Sequence, residues 1–281
     1  MSARGKLRLT VLALTVLAGG GLVTADMGSI PMPEDDRLVD VFEPNQRALI
    51  AWNGQEEILI LSTDLQASRP TRVLEVIPLP SEPTVTAGDT AVFQRAVDLL
   101  NQKLPKKRLP ARSGASGATG LFGDDAGEAE APPAAEVTLH KRVGATDISV
   151  IHVLTGDRFI QWVEDYLKGQ SVKNPTIPPI MKKTVQEYLA DGYQWFAFNI
   201  VVLSREVHSK DAVQYRFKTD CLFYPMRISR TDKGKTQISL IILTREELDS
   251  LRIVGVTEGW VTLAYGIVRA DVDVEPEWLR A

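Results

Sequence analysis

The stretch RALIAWNGQEEILILS, residues 47–62, decides the fold class of this chain. It contains two apolar runs, 47–53 and 56–62, separated by the pair Asn53-Gly54. An Asn-Gly pair between apolar runs favours a two-residue turn whose twist matches that of two antiparallel strands. Both runs carry apolar residues at odd and even positions, which is typical of strands covered on both faces. The stretch therefore predicts a buried antiparallel hairpin.

The same signals recur on both sides of this hairpin. Helical spacing of apolar residues follows a capping residue at Asp89 and another at Thr155. Helices and strands do not alternate strictly, which favours an α+β fold with mainly antiparallel sheet and three to four helices. The predicted strands are 72–80, 136–144, 147–154, 193–204, 212–229, 236–244 and 260–270, and the predicted helices are 89–102, 155–169, 178–191 and a short one after a capping box at Thr244 and Glu247.

Residues 103–135 interrupt this pattern. A basic run, a Gly/Ser-rich run and an acidic run follow one another there, and such a composition buries too little apolar surface to offset the entropy of ordering. We therefore predict a disordered linker between an N-terminal lobe at 26–102 and a C-terminal lobe at 136–281. The basic run leaves open an attachment to an anionic partner.

The first 25 residues have the layout of a secretory signal peptide. Arg4, Lys6 and Arg8 precede or enter an apolar stretch that ends at three glycines, and Val23 and Ala25 suit the −3 and −1 positions of a cleavage site. The apolar stretch is short against the ~20 residues that a membrane-spanning helix requires. We expect cleavage after Ala25, export to the periplasm or the exterior, and no integral membrane span in the mature chain.

The net charge of the chain limits the kinds of binding partner that it can have. The whole chain of 281 residues has a formal charge of −4, and removal of three basic residues with the signal peptide changes it to −7. A net negative charge argues against nucleic acid as the main partner. The apolar and charged fractions, 44% and 24%, are those of a globular protein.

The cysteine and the histidines of this sequence do not indicate a disulfide, a metal site or a catalytic site. The single cysteine, Cys221, excludes an internal disulfide, and its apolar neighbours predict a buried thiol within a strand. His140, His152 and His208 lie without metal-ligand spacing. His152 falls in an alternating strand and is expected to be structural. The sequence accordingly assigns no cofactor, no metal and no catalytic residue.

Two weak catalytic patterns remain. Ser204, His208 and Asp211 stand close together in a polar connection, whereas the members of a catalytic triad come from separate loops. Dispersed acids such as Asp147, Asp157 and Asp220 form the alternative of a hydrolase whose site assembles only in three dimensions.

Tryptophan could stack on sugars, and the chain has five. Trp52, Trp162 and Trp195 fit core positions, which leaves Trp260 and Trp278 as surface candidates.

Several motifs in their shared order resemble an uncharacterised family of exported prokaryotic proteins, a domain of unknown function. The motifs are ADMGSIP (25–31), PNQRALIAWNG (44–54), VIPLPSEP (76–83), YLADGYQWFAFNIVVL (188–203) and FKTDCLFYPMRIS (217–229). The resemblance implies cysteines near the mature N-terminus, but Met27 stands where one would be expected. It implies no reaction and transfers no functional residue.

The leading hypothesis is thus an exported protein that acts without catalysis, by binding an envelope or extracellular partner. An extracytoplasmic hydrolase and a structural envelope component are the alternatives.

Overall fold

A computed structural model describes residues 5–17, 28–33, 35, 39–103, 134–231, 236–245, 260–262 and 268–274. These residues form two β-sheets and three α-helices. The strands are β1 (Gly5–Leu17), β2 (Gly28–Met32), β3 (Val41–Trp52), β4 (Glu56–Ala67), β5 (Thr71–Leu79), β6 (Thr84–Ala87), β7 (Ala135–Val143), β8 (Thr146–Val153), β9 (Trp195–Leu203), β10 (His208–Ser209), β11 (Val213–Lys218), β12 (Thr236–Thr244), β13 (Trp260–Thr262) and β14 (Val268–Val274). The helices are α1 (Ala91–Lys103), α2 (Gly156–Gly169) and α3 (Pro179–Ala190).

Both sheets are mainly antiparallel, as the sequence predicts. Sheet A has the order β13-β1-β12-β3-β4-β11-β6, with β10 also paired to β4 and β14 to β1. Sheet B has the order β2-β5-β9-β8-β7. Among the pairings of the described strands, that of β12 with β3 is parallel and the others are antiparallel. The α+β fold class with mainly antiparallel sheet is therefore confirmed.

The hairpin predicted at 47–62 is confirmed as the pair β3 and β4. Gly54 has a φ angle of +96°, which a residue without Cβ adopts at no steric cost. The side-chain oxygen of Asn53 accepts hydrogen bonds from the backbone N–H groups of Gln55 at 3.0 Å and Glu56 at 2.9 Å. The turn therefore follows from the local chemistry of the Asn-Gly pair.

The two sheets pack face to face, and helices cover their outer faces. Alternate residues explain the arrangement: Leu59 and Leu61 of β4 face sheet B, whereas Ile60 packs with Val92 of α1 on the outer face. On sheet B, Phe196 packs against α2 and α3. The result is a helix–sheet–sheet–helix sandwich, and full burial of each such side chain contributes about 1.5–3 kcal/mol.

Three of the predicted helices begin and end close to their predicted bounds, and the short helix predicted after Thr244 and Glu247 lies outside the described residues. Asp89 accepts a hydrogen bond from the N–H of Ala91 at 2.8 Å, so the predicted cap of α1 is confirmed. Thr155 precedes α2 as predicted, but its side chain makes no capping bond. Ile180 of α3 is 39% exposed, because Met181 and Thr184 lie on the buried side of this helix.

The segment 212–229 departs from the prediction of one long strand. β11 ends at Lys218, and a 3-10 helix spans Met226–Thr231. Cys221 lies in the connection and is exposed, so the prediction of a buried thiol within a strand is wrong. The connection instead carries Phe223 into the core between the sheets, because Phe223 is the larger apolar group.

The 3-10 helix is held on α3 by a cation and a carboxylate. The guanidinium of Arg227 lies 4.6 Å from the ring centroid of Tyr188 and its Nη2 is 2.5 Å from Oδ2 of Asp191. Burial raises the pKa of the Tyr188 hydroxyl, against the opposing effect of Arg227. Desolvation therefore outweighs the positive charge at this contact.

Strands from the two predicted lobes share both sheets. β5 pairs with β9 in sheet B, and β3 pairs with β12 in sheet A. The lobe boundaries and the linker at 103–135 stay predictions, since residues 104–133 lie outside the described residues.

The predicted signal peptide overlaps an element of sheet A. β1 pairs antiparallel with β12, from Arg8 opposite Thr244 to Val16 opposite Thr236. The signal peptide itself stays a prediction. No helix within the described ranges is long and apolar enough to span a membrane.

Candidate functional site

The interior of the sandwich contains a polar cluster that the sequence analysis did not anticipate. We name it the Glu75 cluster, and its members are Glu75, Asn199, Lys210 and Tyr215. Glu75 on β5 and Asn199 on β9 are direct cross-strand partners in sheet B. Tyr215 comes from β11 of sheet A, and Lys210 from the connection between β10 and β11. The cluster therefore links the two sheets across the core.

Hydrogen bonds connect all four side chains of the Glu75 cluster. Oε2 of Glu75 accepts from Nζ of Lys210 and, at 3.2 Å, from Nδ2 of Asn199. The hydroxyl of Tyr215 donates to Oδ1 of Asn199 at 3.2 Å and accepts from its Nδ2 at 3.0 Å. The amine of Lys210 and the amide of Asn199 thus meet at one oxygen atom of the Glu75 carboxylate.

Burial makes these contacts energetically demanding. Glu75, Asn199 and Tyr215 have no measurable exposure, and the Lys210 side chain is 9% exposed. Taking an ammonium and a carboxylate from water costs several kcal/mol per ion, which their attraction offsets only with good geometry. Oε1 of Glu75 has no hydrogen-bond partner among the described residues. Because burial of these groups is costly, the Glu75 cluster either takes part in a reaction or fixes the position of the two sheets.

The strands explain how the Glu75 cluster arises. β5 has the sequence TRVLEVIPL and β9 has WFAFNIVVL, and Glu75 and Asn199 lie in the middle of the faces that pack against sheet A. Ile77 and Ala197 lie on the same faces within the apolar core. One Glu and one Asn inside otherwise apolar runs were the available signals, but cross-strand register is needed to bring them together.

Glu57 is a second buried carboxyl group in the same interior. It lies on β4, is 0% exposed, and its Oε2 accepts a hydrogen bond from the N–H of Phe223 at 2.8 Å. Burial raises the pKa of this carboxyl well above its usual value, and the Phe223 hydrogen bond offsets only part of the shift. Its Oε1 has no hydrogen-bond partner in the part of the chain that the structure describes.

The structure brings together two of the three residues in the Ser204, His208 and Asp211 pattern. Oγ of Ser204 lies 2.7 Å from Nε2 of His208, and the same oxygen accepts from the N–H of Glu206 at 3.1 Å. Asp211 points elsewhere, because its carboxylate occupies the space where Gly144 lacks a Cβ. A serine and a base in hydrogen-bond contact are thus present without the predicted acid.

The dispersed acids do not converge as the hydrolase alternative requires. Asp147 lies at the start of β8, 3.9 Å from Arg142, whereas Asp157 lies in the first turn of α2 beyond the other end of that strand. Asp220 is exposed after β11. Among the described residues, no three His, Cys, Asp or Glu side chains are grouped as a metal site.

His152 has a structural environment. Its ring stacks on Trp195, with centroids 4.2 Å apart and planes 7° apart, and its Nδ1 lies 3.1 Å from Oε1 of Glu136. His140 contacts Ser149 at 3.0 Å. These contacts hold β7 and β8 together.

The tryptophans expected in the core are only partly buried. Trp52 donates from Nε1 to the carbonyl of Thr219 at 3.3 Å, and Trp162 stacks on Phe159 and Tyr166. The side chains of Trp260 and Trp278 lie outside the described part of the structure.

One border of sheet B is open. β7 is the last strand in its order and pairs with β8. The backbone N–H of Val153 in β8 donates to the carbonyl of Gln194, on the side of β9. In an antiparallel pair, the residue opposite such a position directs its backbone groups away from the shared strand. Ala135 lies opposite Val153 and Val137 lies opposite Ile151, so the backbone groups of Ala135 and Val137 point away from β8. Val137 is 46% exposed. We name this feature the β7 edge, residues 135–143.

Comparison with known proteins identifies a family that the chain matches. Residues 28–278 match the model of a family described as "Uncharacterized protein conserved in bacteria (DUF2330)". No curated protein and no solved structure matches the chain.

Proposed function

We propose that this chain, which belongs to that family of uncharacterised proteins conserved in bacteria, is an exported, non-enzymatic binding protein of the cell envelope. The observation that carries the proposal is the β7 edge, a nine-residue strand whose outer backbone groups have no strand partner among the described residues. An open strand edge is a template on which an extended polypeptide adds a further strand.

The β7 edge favours a partner segment of defined chemistry. Val137 offers an exposed apolar contact, and His140, Lys141 and Arg142 are exposed in the second half of the strand. Within the chain, Lys141 also donates to the carbonyl of Val85 at 3.2 Å and Arg142 lies 3.9 Å from Asp147. An extended segment of an envelope protein with alternating aliphatic and acidic residues matches this pattern, because cross-strand pairs of opposite charge stabilise a sheet. The register of β7 shifts between Val137 and Leu139, so we expect the added segment to pair with the stretches on either side of this irregularity.

Export is tested by fractionation of the native host followed by N-terminal sequencing of the purified protein. We expect the protein in the periplasmic or extracellular fraction, with Asp26 as its first residue. Recovery from the cytoplasm with the N-terminal segment intact would contradict this half of the proposal.

Binding along the β7 edge is tested by a photoreactive amino acid introduced at Thr138 in the native host. Both Thr138 and the control position Lys183 on α3 are exposed. We expect one discrete crosslinked product from position 138 and none from position 183. Sequencing of the crosslinked peptide identifies the partner segment, and an extended acidic and aliphatic segment is the expected result.

A second variant makes the binding test independent of the crosslinker. Val137→Pro removes an N–H group that points away from β8, so strand addition is blocked while the pairing of β7 with β8 stays intact. We expect loss of the crosslink with little change in melting temperature. An undiminished crosslink, or a crosslinked segment of different chemistry, would refute strand addition at this edge.

A hydrolase is the second candidate, favoured by the 2.7 Å contact between Ser204 and His208. A serine whose Oγ contacts an imidazole has the arrangement of a base-activated nucleophile. A fluorophosphonate probe that labels wild type and the Ser209→Ala control, but neither Ser204→Ala nor His208→Ala, would establish this candidate. The binding proposal predicts no labelling at Ser204.

A further inference from the structure

We propose that Lys210 and Asn199 form an intramolecular isopeptide bond, with Glu75 as the proton-transfer group and Tyr215 as the hydrogen-bond donor to the amide oxygen. The inference is independent of the proposed binding function. It concerns a covalent modification within the Glu75 cluster, in the interior between sheets A and B.

The first support is the chemical composition of the Glu75 cluster. A primary amine, a carboxamide and a carboxyl group are the three groups that an amide exchange between side chains requires. Lys210 and Asn199 both donate to Oε2 of Glu75, so the nucleophile and the leaving group share one oxygen atom. Two groups that share one hydrogen-bond acceptor are held close together, so they react as an intramolecular pair without the entropic cost of an encounter.

The second support is the environment of the Glu75 cluster. The apolar residues Val73 and Ile77 flank Glu75 on its face of β5, and both are fully buried. Glu75 and Asn199 have no exposed surface, so water is kept from the carboxyl group and the amide, which favours attack by the amine over hydrolysis of the amide. The low polarity of the surroundings also strengthens each hydrogen bond in the cluster.

The reaction balances without an oxidant or a further reactant. The Glu75 carboxylate removes a proton from the Lys210 ammonium, and Nζ then attacks Cγ of Asn199. As the new C–N bond forms, the carbonyl electron pair moves to Oδ1, where the Tyr215 hydroxyl stabilises the developing charge by its hydrogen bond. Glu75 passes its proton to Nδ2, and the bond from Cγ to Nδ2 breaks.

The products are one amide bond and one molecule of ammonia. Glu75 takes the remaining proton from Nζ and ends as a neutral carboxylic acid. Because the ammonium and the carboxylate are consumed together, the net charge of the Glu75 cluster is zero before and after. The unpaired Oε1 of Glu75 provides a second oxygen for the proton that it holds during the transfer.

The position of the bond gives it a structural consequence. Asn199 belongs to β9 of sheet B, whereas the backbone N–H of Lys210 donates to Thr63 of β4 in sheet A at 2.9 Å. A covalent bond between the two side chains would tie the sheets together through the core. It would do so in a chain whose single cysteine excludes an internal disulfide.

Intact-mass spectrometry of the purified full chain tests the proposal. We expect a mass lower than that of the sequence by one ammonia molecule, and a branched peptide that joins the segments containing Asn199 and Lys210 after digestion. Glu75→Gln and Lys210→Arg are expected to have the full sequence mass, since one lacks the proton acceptor and the other the primary amine.

Glu57→Gln is the matched control, because Glu57 is also a buried carboxyl group in the sandwich but is not a member of the Glu75 cluster. It is expected to retain the loss of ammonia. Cyclisation at Asn53-Gly54 would release the same mass, and peptide mapping separates the two sites. A folded wild-type protein with its full sequence mass, or a loss that maps to Asn53, would overturn the proposal and leave a non-covalent ion pair.

Discussion

Glu57 shows how the core controls a single side chain. Its carboxyl has one hydrogen-bond donor, Phe223, and burial dominates its titration. The folded pKa is raised above the usual value of 4.5, so the folded protein keeps this proton while the unfolded chain loses it. Stability from Glu57 is therefore intact below about pH 4.5 and decreases as pH rises from there toward the folded pKa.

The Glu57→Gln variant tests the predicted pH dependence of the stability contribution of Glu57. It retains an acceptor for the Phe223 N–H and cannot ionise, so we expect it to gain about 1–3 kcal/mol in unfolding free energy over wild type at pH 7. No gain is expected at pH 4. Denaturant unfolding at both pH values measures the difference. Glu56→Gln, an adjacent and partly exposed position, is the control, and an equal pH-dependent gain there would refute the role of burial.

At the scale of elements, close packing around the segment between two elements limits which residue types that segment can contain. Gly88 joins β6 to α1, and its N–H donates to the carbonyl of Ala212 at 2.8 Å. A Cβ placed there would lie 2.9 Å from Cβ of Ala212 and 3.0 Å from Cγ2 of Ile60. Neither neighbour is the end of a flexible side chain.

Gly88→Ala is therefore expected to lower the unfolding free energy by about 1–3 kcal/mol through overpacking. Gly156→Ala is the matched control, because the nearest atom to its added Cβ is Cδ1 of Leu189 at 3.5 Å, an ordinary contact. Thermal or denaturant unfolding of both variants provides the measurement. Equal stabilities of the two would show that the approach at Gly88 relaxes without cost.

β1 gives the export hypothesis a consequence for sheet A. Cleavage after Ala25 would remove β1 and with it the antiparallel partner of β12. We expect alternate amides of β12 to exchange hydrogen faster in a chain of residues 26–281 than in the full chain. The amides that face β3 should be unchanged, because that pairing does not involve β1. Identical exchange in both chains would indicate that another segment takes the position of β1.

At the scale of the whole molecule, the interleaved sheets make the two halves of the chain depend on each other. β5 of the first half lies beside β9 of the second, and β12 of the second lies beside β3 of the first. The core clusters combine residues from both halves, among them Leu59 and Ala197. Each half alone would expose these apolar faces to water.

We therefore expect a chain cut at a protease site engineered within residues 104–133 to remain associated on gel filtration. It should unfold in one cooperative transition, since neither fragment has a complete core. Circular dichroism of the separated fragments should show loss of native structure. Two independent transitions, or a folded fragment of residues 26–103, would instead support separate lobes.

Sequence alone determined the local elements of this protein. Asn53-Gly54 specifies its turn through backbone geometry that two residues control, and Asp89 caps α1 through a bond to a residue two positions away. Apolar runs with both faces covered correctly predicted sheets buried on both sides. The motifs that resemble an uncharacterised family also led to the family that the comparison confirms.

Tertiary structure alone decided which distant residues meet. Glu75 and Lys210 are far apart in the chain, and their contact depends on the register of β5 with β9 and on the packing of sheet A over sheet B. The exposure of Cys221 likewise depends on where β11 ends and which neighbour, Phe223, fills the core. Local chemistry specifies turns, caps and strands because its interactions span a few residues. A side-chain cluster requires long-range pairing, which no short stretch of sequence encodes.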